Sequence, residues 1–256
     1  MFLEIDVWCQ YIMLSDPSLY LLLLLVGAFT AAFVTGAVGF ADAMILNATW
    51  LHIMDPIAAI PLVVSCGLLM HILPLISLRQ TLDFSRLLPF VIGGILGVPL
   101  GVLMLGYIEP DIFRTVIGAL MVVYGCWMFL RPHTSIGEVG GRPIDSLIGL
   151  GGGLMGGFAG LSGLFPAIWT GIRNWPKHLQ RGSCQPFVLI MHGIGVITFV
   201  SAGMFTEQTG TDLIRCMPVL IVGSWLGLKI YPYLNDLLFK RIIVGLNLIA
   251  GITLLF

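Results

Sequence analysis

The sequence predicts an all-α membrane protein built from two inverted repeats, each a re-entrant helical hairpin followed by three transmembrane helices. Hydrophobic residues make up 58% of the 256 residues and charged residues only 10%, and the mean hydropathy is +1.02. A soluble domain of this length could not bury so much apolar surface. Long apolar stretches follow one another along the chain, and two of them are interrupted by glycines. The two halves of the chain also share a pattern of residues in the same order.

The apolar stretches give the predicted boundaries, with about 20 residues taken as one helical span. Repeat 1 covers residues 18–130 and repeat 2 covers residues 144–256, and the polar loop 131–143 between them is placed in the cytoplasm. Residues 1–17 carry aromatic and acidic side chains without Lys or Arg, which predicts an interfacial segment rather than a cleaved signal peptide. The predicted elements are a hairpin at 18–53, spans at 56–78, 87–108 and 112–130, a hairpin at 144–172, and spans at 183–205, 213–234 and 237–256.

Both predicted hairpins have a glycine-rich break near the middle. The first stretch, 18–53, is too long for one span and too short for two, and its centre reads Thr35-Gly-Ala-Val-Gly-Phe-Ala-Asp42. The second contains Gly151-Gly-Gly-Leu-Met-Gly-Gly-Phe-Ala-Gly-Leu-Ser-Gly-Leu-Phe-Pro166, with glycines where a continuous membrane helix would carry Leu or Ala. Broken backbone is tolerated at membrane depth only where protein or a water-filled cavity can satisfy it. Each break is therefore a candidate binding site.

The tip of the second hairpin has the features of an anion site. Pro166 fits the first turn of a helix that starts near Leu164, because its missing N–H would be unpaired there anyway. The free N–H groups and positive dipole end of that helix would favour an anion. The alternative is that the glycines only let helices pack closely. We favour a site for Gly160 to Pro166 and packing for the glycines inside ordinary spans, namely Gly93, Gly97, Gly101, Gly223 and Gly227.

The two halves resemble each other at four places in the same order. The matches are Gly36-Ala-Val-Gly39 with Gly160-Leu-Ser-Gly163, Met70-His71 with Met191-His192, Asp83-Phe-Ser-Arg86-Leu-Leu-Pro89 with Asp212-Leu-Ile-Arg215-Cys-Met-Pro218, and Gly93-x-x-x-Gly97 with Gly223-x-x-x-Gly227. Duplicated units of this kind are common in transporters. We expect the Asp and Arg of each third motif to be structural, with the Asp as a helix N-cap and the Arg pairing with it.

The distribution of Lys and Arg favours the hairpin topology. If both broken stretches return to the side from which they enter, ten of the 12 Lys and Arg residues lie on one side, as the positive-inside rule requires. If each stretch crosses once, the division is seven against five. The hairpin topology places both termini outside the cytoplasm and makes the halves inverted, since each has three full crossings.

The candidate functional residues fall into three groups. Asp42 is the acidic residue deep in an apolar stretch, where it could carry a coupling proton or stabilise the start of a half-helix. His71 and His192 could relay protons or be hydrogen-bonded between helices. The predicted vestibule residues at the cytoplasmic mouth are Arg173, Lys177 and Arg181. The predicted substrate-binding residues are Thr35, Gly36, Gly39, Asn47, Gly160, Ser162, Gly163, Pro166, Trp169 and Gln185.

These residues resemble the sulfite exporter TauE/SafE family, also called TSUP. The resemblance rests on Thr35-Gly-Ala-Val-Gly-Phe in the first half and on Gly156-Gly-Phe-Ala-Gly-Leu-Ser-Gly-Leu-Phe-Pro, followed by Gln180-Arg181-Gly182, in the second. It implies a bacterial-type inner-membrane carrier that moves sulfite, sulfoacetate or related organosulfur anions, generally outward. Asp42 stands where the second half has Pro166, so the two hairpins are not expected to bind substrate equivalently.

The expected function is a secondary transporter, working as an exporter of small organosulfur anions by alternating access around a site between the two hairpin tips. H⁺ or Na⁺ is the expected coupling ion, and a homodimer is left open. A passive anion channel is the alternative, and an intramembrane enzyme is disfavoured because the sequence lacks paired acids or metal-spaced histidines. No cofactor or metal is expected. A net charge of −1 without a basic run gives no indication of nucleic-acid binding.

Overall fold

The computed structural model describes residues 16–39, 41–77, 84–130, 140–173 and 175–230, together with residues 233, 245, 248, 249 and 251–255. Regular structure in this part of the chain is helical. The helices are α1 (Pro17–Val38), α2 (Asp42–Trp50), α3 (Pro56–Ser77), α4 (Phe84–Tyr107), α5 (Pro110–Leu130), α6 (Gly141–Ala159), α7 (Leu164–Ile172), α8 (Lys177–Ser201) and α9 (Glu207–Ile230).

Three helices begin a few residues before the apolar stretches that predicted them. Helix α6 begins at Gly141 rather than 144, α8 at Lys177 rather than 183, and α9 at Glu207 rather than 213. Helix α8 ends at Ser201, before the predicted bound at 205, whereas residues 231 and 232, which follow α9, lie outside the described part of the chain. Lys, Gln and Glu are good helix formers, so a helix can extend past the apolar residues that a hydropathy pattern detects. The interfacial segment predicted at 1–17 and the span predicted at 237–256 lie almost entirely outside the described residues.

The start of α9 also corrects the predicted role of Asp212. The N–H of Thr209 donates to Thr206 Oγ1 at 3.1 Å, so Thr206 is the residue whose side chain caps α9. Asp212 lies one turn further along, inside the helix, and the N-cap prediction is wrong for it. The predicted pairing is confirmed, because Arg215 Nη1 lies 3.0 Å from Asp212 Oδ1. Asp83, its counterpart in the first half, lies outside the described residues.

Helix α2 folds back along α1. Trp50 Nε1, at the end of α2, donates to the carbonyl of Leu24 in the middle of α1 at 3.3 Å, and Thr49 packs against Gly27. Gly39 ends α1 in the left-handed conformation with φ 95, and its N–H donates to Thr35 O at 2.7 Å. The 9 residues of α2 extend about 14 Å, too short to cross a bilayer core of about 30 Å.

Helix α7 folds back along α6 in the same way. Trp169 Nε1 donates to Asp145 Oδ1, near the start of α6, at 2.7 Å, and the ring of Phe165 packs over Gly151. Gly160 ends α6 in the left-handed conformation with φ 73. Each glycine-rich stretch therefore forms a long helix, a turn and a short returning helix.

Glycines let α4 and α6 approach until their backbones touch. A Cβ atom at Gly93 or Gly97 would lie 1.9 Å from Ser146 O or 2.2 Å from Leu150 O. On the other side of the contact, Gly153 faces the backbone of Gly94. The register advances in the same direction on both helices, so they are parallel.

Helices α1 and α9 form a second glycine contact. A Cβ atom at Gly227 would lie 2.1 Å from Phe33 O, and one at Gly223 would lie 2.9 Å from Phe29 O. The packing role predicted for the five span glycines is therefore confirmed. The long helix of each hairpin therefore packs against a helix from the other half of the sequence: α1 against α9, and α6 against α4.

Four helices in the described residues are long and apolar enough to cross a membrane by length and composition. They are Pro17–Ala37 of α1, Phe84–Tyr107, Gly182–Ser201 of α8 and Glu207–Ile230. Large apolar side chains such as Leu96 and Ile221 are exposed on their outer faces. Apolar surface of this extent is expected on a protein that faces lipid.

Candidate functional site

The two helix breaks meet inside the bundle. Asn47 Nδ2 of α2 donates to the carbonyl of Ala159 at 2.9 Å, and His192 Nε2 of α8 lies 3.1 Å from the carbonyl of Gly160. These are the last carbonyls of α6, which have no partner within their own helix. The first hairpin and α8 therefore supply the donors that a buried break needs.

Gly160 is also in tight contact with the first hairpin. A Cβ atom there would lie 2.7 Å from Val63 Cγ1 and 3.3 Å from Ala43 Cβ. Its positive φ disfavours any other residue as well. The second hairpin tip is therefore held against α2 and α3.

Asp42, His71 and His192 converge beside this contact, and we call them the Asp-His-His cluster. Asp42 Oδ2 lies 3.4 Å from His71 Nε2 and 4.0 Å from His192 Nδ1. The two rings are 5.8 Å apart between centroids. The side chains are 7%, 0% and 1% exposed, respectively. Three polar groups from α2, α3 and α8 thus share one dry site.

The hydrogen bond to Gly160 fixes the tautomer of neutral His192. A carbonyl can only accept, so Nε2 carries the hydrogen and Nδ1 presents a lone pair toward Asp42. Asp42 Oδ2 faces His71 Nε2 at 3.4 Å, His192 Nδ1 faces the backbone of Gly67, and none of these atoms makes a hydrogen bond of ordinary length. Buried polar groups are normally paired, so the cluster leaves room for a positive charge.

Both roles predicted for Asp42 have a structural counterpart. The carboxylate faces the two histidines, as a coupling site requires. It also lies in the first turn of α2, where a negative charge is favourable and Ala41 supplies no side-chain cap. The carboxylate therefore stabilises its own helix start while presenting Oδ2 to the histidines.

Among the described residues, the Asp-His-His cluster is the group whose donor atoms could hold a metal ion. The three ligand atoms lie within 4.8 Å of one another. Ligands of a tetrahedral zinc ion at 2.0–2.1 Å stand about 3.4 Å apart, and the 4.0 Å between Asp42 and His192 exceeds this. The arrangement is more open than a zinc site.

Several predicted substrate-binding residues are buried and have polar atoms without a hydrogen-bond partner. Each belongs to a side chain that is at most 1% exposed. Buried hydrogen-bonding capacity that the protein does not use suits a ligand or water. These predicted atoms are Thr35 Oγ1, Asn47 Oδ1, Ser162 Oγ and both amide atoms of Gln185. Ser183 Oγ and Ser224 Oγ are also buried without a hydrogen-bond partner, and neither residue was predicted.

Three further predicted residues form the turns themselves. Gly39 is the left-handed end of α1. Gly163 precedes α7 with φ −76 and provides no side-chain cap. Pro166 lies in the first turn of α7, and its carbonyl accepts from Thr170 Oγ1 at 2.8 Å. The start of α7 near Leu164 agrees with the position expected from Pro166.

Two predicted residues have contacts outside the central site. Gly36 packs against α9, where a Cβ atom would lie 2.5 Å from Ser224 O. Trp169 points to the opposite end of α7, where its indole donates to Asp145. Their role in the site stays a prediction.

Arg173 belongs to a cluster at the end of the second hairpin opposite its tip. Its Nη1 lies 2.9 Å from Asp145 Oδ1, and its guanidinium lies 5.6 Å and 5.1 Å from the ring centroids of Trp169 and Trp175. Arg86 of α4 lies 5.1 Å from the same Trp175 ring. The other predicted vestibule side chains, Lys177 and Arg181, lie outside the described side chains.

The sequence analysis missed Asp145, Trp175 and Arg86 as members of this cluster. Asp145 and Arg173 are separated by 28 positions, and only the fold-back of α7 brings them together. An acid early in the second hairpin and a base just after it are the one signal that could have indicated this pair.

A family model described as Sulfite exporter TauE/SafE matches residues 23–254. No curated protein and no solved structure matches the chain. The family match covers both hairpins and the helices that follow them, and the family is one of membrane transporters rather than enzymes. The chain therefore belongs to the TauE/SafE sulfite exporter family and is an integral membrane protein.

Proposed function

We propose that the protein is a secondary transporter that exports small organosulfur anions such as sulfite or sulfoacetate. In this proposal the anion binds between the two hairpin tips and the protein works by alternating access. The observation that carries the proposal is the meeting of the two helix breaks, with Asn47 and His192 bound to the carbonyls of Ala159 and Gly160. Breaks buried at membrane depth are where transporters of this kind place their substrate.

The anion would be held by neutral donors. Helix α7 has no side-chain cap at Gly163, so the positive end of its dipole is available. The Ser162 hydroxyl and the Gln185 amide are buried and unpartnered, and each can donate to an oxyanion. Holding by dipoles and neutral groups is weaker than holding by a buried arginine, and reversible holding suits transport.

The packing suggests which parts would move. The glycine contacts tie α1 to α9 and α4 to α6 through close backbone contact. At the tips, Asn47 and His192 hold the Ala159 and Gly160 carbonyls, and Gly160 packs against Val63 and Ala43. We propose that the two halves of the chain are inverted repeats in a bacterial-type inner membrane, with both termini outside the cytoplasm. We further propose that the unit of α1 and α9 rocks against the unit of α4 and α6 at the tips.

The test compares two buried serines. Ser162 Oγ has no protein partner, whereas Ser65 Oγ donates to Pro61 O at 2.7 Å within its own helix. Ser162→Ala should weaken binding of sulfite, sulfoacetate or thiosulfate about fivefold, since a hydrogen bond contributes about 1 kcal/mol, and should leave stability unchanged. Ser65→Ala should leave binding unchanged.

Flux into proteoliposomes completes the test. Gly163→Leu and Pro166→Leu should abolish saturable flux while folded protein remains in the membrane. Unchanged flux in such folded variants would overturn the proposed site. Wild-type flux that never saturates with anion concentration would indicate the passive channel instead.

A further inference from the structure

We propose that Asp42, His71 and His192 form a single proton-binding site, and that its proton and the transported anion favour each other's binding. This inference rests on the proposed function and identifies the coupling ion of that transporter. The proton is carried with the anion, and a divalent anion with one proton keeps a net charge of −1, whose export the inside-negative membrane potential favours. It treats the three side chains as one unit, because their polar atoms face one another across α2, α3 and α8.

The first step is the arrangement of hydrogen-bond acceptors. His192 Nε2–H is committed to Gly160 O, so Nδ1 turns a lone pair toward Asp42 Oδ2 at 4.0 Å and toward the backbone of Gly67. Two acceptors face each other in a dry site, which is unfavourable until a proton lies between them. His71 Nε2, at 3.4 Å from the same oxygen, can bond to the carboxyl oxygen in either state.

The second step is the movement that the proton would produce. A charge-assisted N–H···O hydrogen bond is about 2.8 Å long, so the 4.0 Å gap must close by about 1.2 Å. Closing it draws α8 toward α2. Because His192 also holds Gly160 O, the second hairpin tip is drawn with it.

Gly67 positions the cluster. A Cβ atom there would lie 2.5 Å from the His192 ring and 2.7 Å from Asp42 Oδ2. A side chain at this position of α3 would therefore keep the carboxylate and the imidazole apart. The absence of a side chain is what lets the three groups share one proton.

The third step is charge. Gly160 lies two residues before Ser162, so the carboxylate of Asp42 and the proposed anion site adjoin the same turn. Among the described residues, the ion-pair partners of Asp42 are His71 and His192. The Cys66 thiol of α3 is a further titratable neighbour, and it contacts Cys216 of α9 and interacts with Asp212 of the same helix. A bound proton is thus the positive charge that offsets Asp42 when the anion arrives.

The ligand atoms also decide between the two expected coupling ions. Sodium is a hard cation that prefers several oxygen ligands, whereas imidazole nitrogens suit protons and softer metal ions. Two of the three groups in this cluster are imidazoles. The chemistry therefore points to H⁺ rather than Na⁺.

The experiment measures anion affinity as a function of pH. Thiosulfate is the probe, because its charge does not change between about pH 6 and pH 8, the range in which histidine titrates. Isothermal titration of the purified full-length protein should show at least about fivefold tighter binding at the lower pH, the lower end of typical coupling. Asp42→Asn, which resembles the neutral carboxyl, should bind with one affinity at both pH values.

Two further variants complete the design. Asp111→Asn is the matched control, because the Asp111 side chain is 95% exposed and far along the sequence from the cluster, so this variant should keep the wild-type pH dependence. His192→Gln keeps an amide donor for Gly160 O but cannot take up a proton. It should lose the pH dependence, and it provides the test if Asp42→Asn does not fold.

The outcomes separate the two proposals. Wild-type binding without pH dependence, or pH dependence that survives in Asp42→Asn and His192→Gln, would overturn the proton site and leave the transporter proposal standing. Affinity that follows sodium concentration, or is abolished by a metal chelator, would also overturn it. A wild-type protein that binds none of the organosulfur anions would overturn both.

Discussion

Replacing Gly97 by alanine tests the packing on which the fold depends. A Cβ atom at Gly97 would lie 2.2 Å from Leu150 O and 2.6 Å from Leu154 N. Both atoms belong to the backbone of α6, so no side chain can turn away. Ordinary van der Waals contact begins at 3.4 Å, so α4 must shift from α6 by about 1 Å.

The size of the effect follows from two opposing terms. A radial gap of 0.5–1 Å forfeits about a quarter to a half of each dispersion contact nearby, and overpacking of this kind costs about 1–3 kcal/mol. Alanine is favoured over glycine inside a helix by about 1 kcal/mol. The two terms together predict that Gly97→Ala destabilises the protein by up to about 2 kcal/mol.

Gly193 supplies the matched control. It also lies inside a long apolar helix, α8, but the nearest atom to a Cβ there is Leu68 Cδ1 at 3.9 Å. Gly193→Ala should therefore show only the preference of alanine over glycine inside a helix, and should stabilise the protein by up to about 1 kcal/mol. The two substitutions are chemically identical, so their difference isolates the close contact.

The assay is thermal unfolding of the detergent-solubilised protein, followed by the fraction that stays folded and monodisperse. Gly97→Ala should unfold at a lower temperature than wild type, and Gly193→Ala at the same or a higher temperature. Equal stability of the two variants would refute the close approach of α4 and α6. It would also remove the basis for treating α4 and α6 as one moving unit.

Two further predictions concern buried polar contacts, measured by the same unfolding assay. Asn47→Leu leaves the Ala159 carbonyl without its donor and should destabilise the protein by about 1–2 kcal/mol; a stability equal to wild type would show that water replaces the amide. Asp145→Asn weakens the hold on Arg173, whose side chain is 8% exposed, and should cost about 2–3 kcal/mol, below the full value of a buried pair because the site is at the helix ends. Asp111→Asn, at an exposed pair, should change stability by less than about 0.5 kcal/mol, so equal effects of the two Asp variants would contradict the buried placement of Asp145.

The sequence was sufficient to predict where helices break. Pro166 and Gly160 lie in a short apolar stretch where only a turn and a second helix fit, and the structure places the turn there. The glycines of the spans were assigned to packing because they recur every four residues on one helix face. Local rules of this kind depend only on residues near in sequence.

Contacts between distant segments could not be predicted in the same way. Asp42, His71 and His192 were each candidates for coupling, but nothing in their spacing indicated that the three side chains meet. Gly36 was assigned to the site because it lies in the same motif as Gly39, yet the helix that approaches it is α9. Which neighbour a residue faces is decided by tertiary packing.

The inequality of the two tips follows from the same contacts and bears on mechanism. Helix α7 carries Pro166 in its first turn and has no capping side chain, so its positive end is open to an anion. Helix α2 begins with Asp42, whose own carboxylate occupies the equivalent place. Two anion sites would leave the carboxylate of Asp42 repelling its neighbour, whereas one anion site and one proton site offset each other in charge. Under the proposed function, the difference between Asp42 and Pro166 is therefore what allows a duplicated fold to bind two unlike ions at its centre.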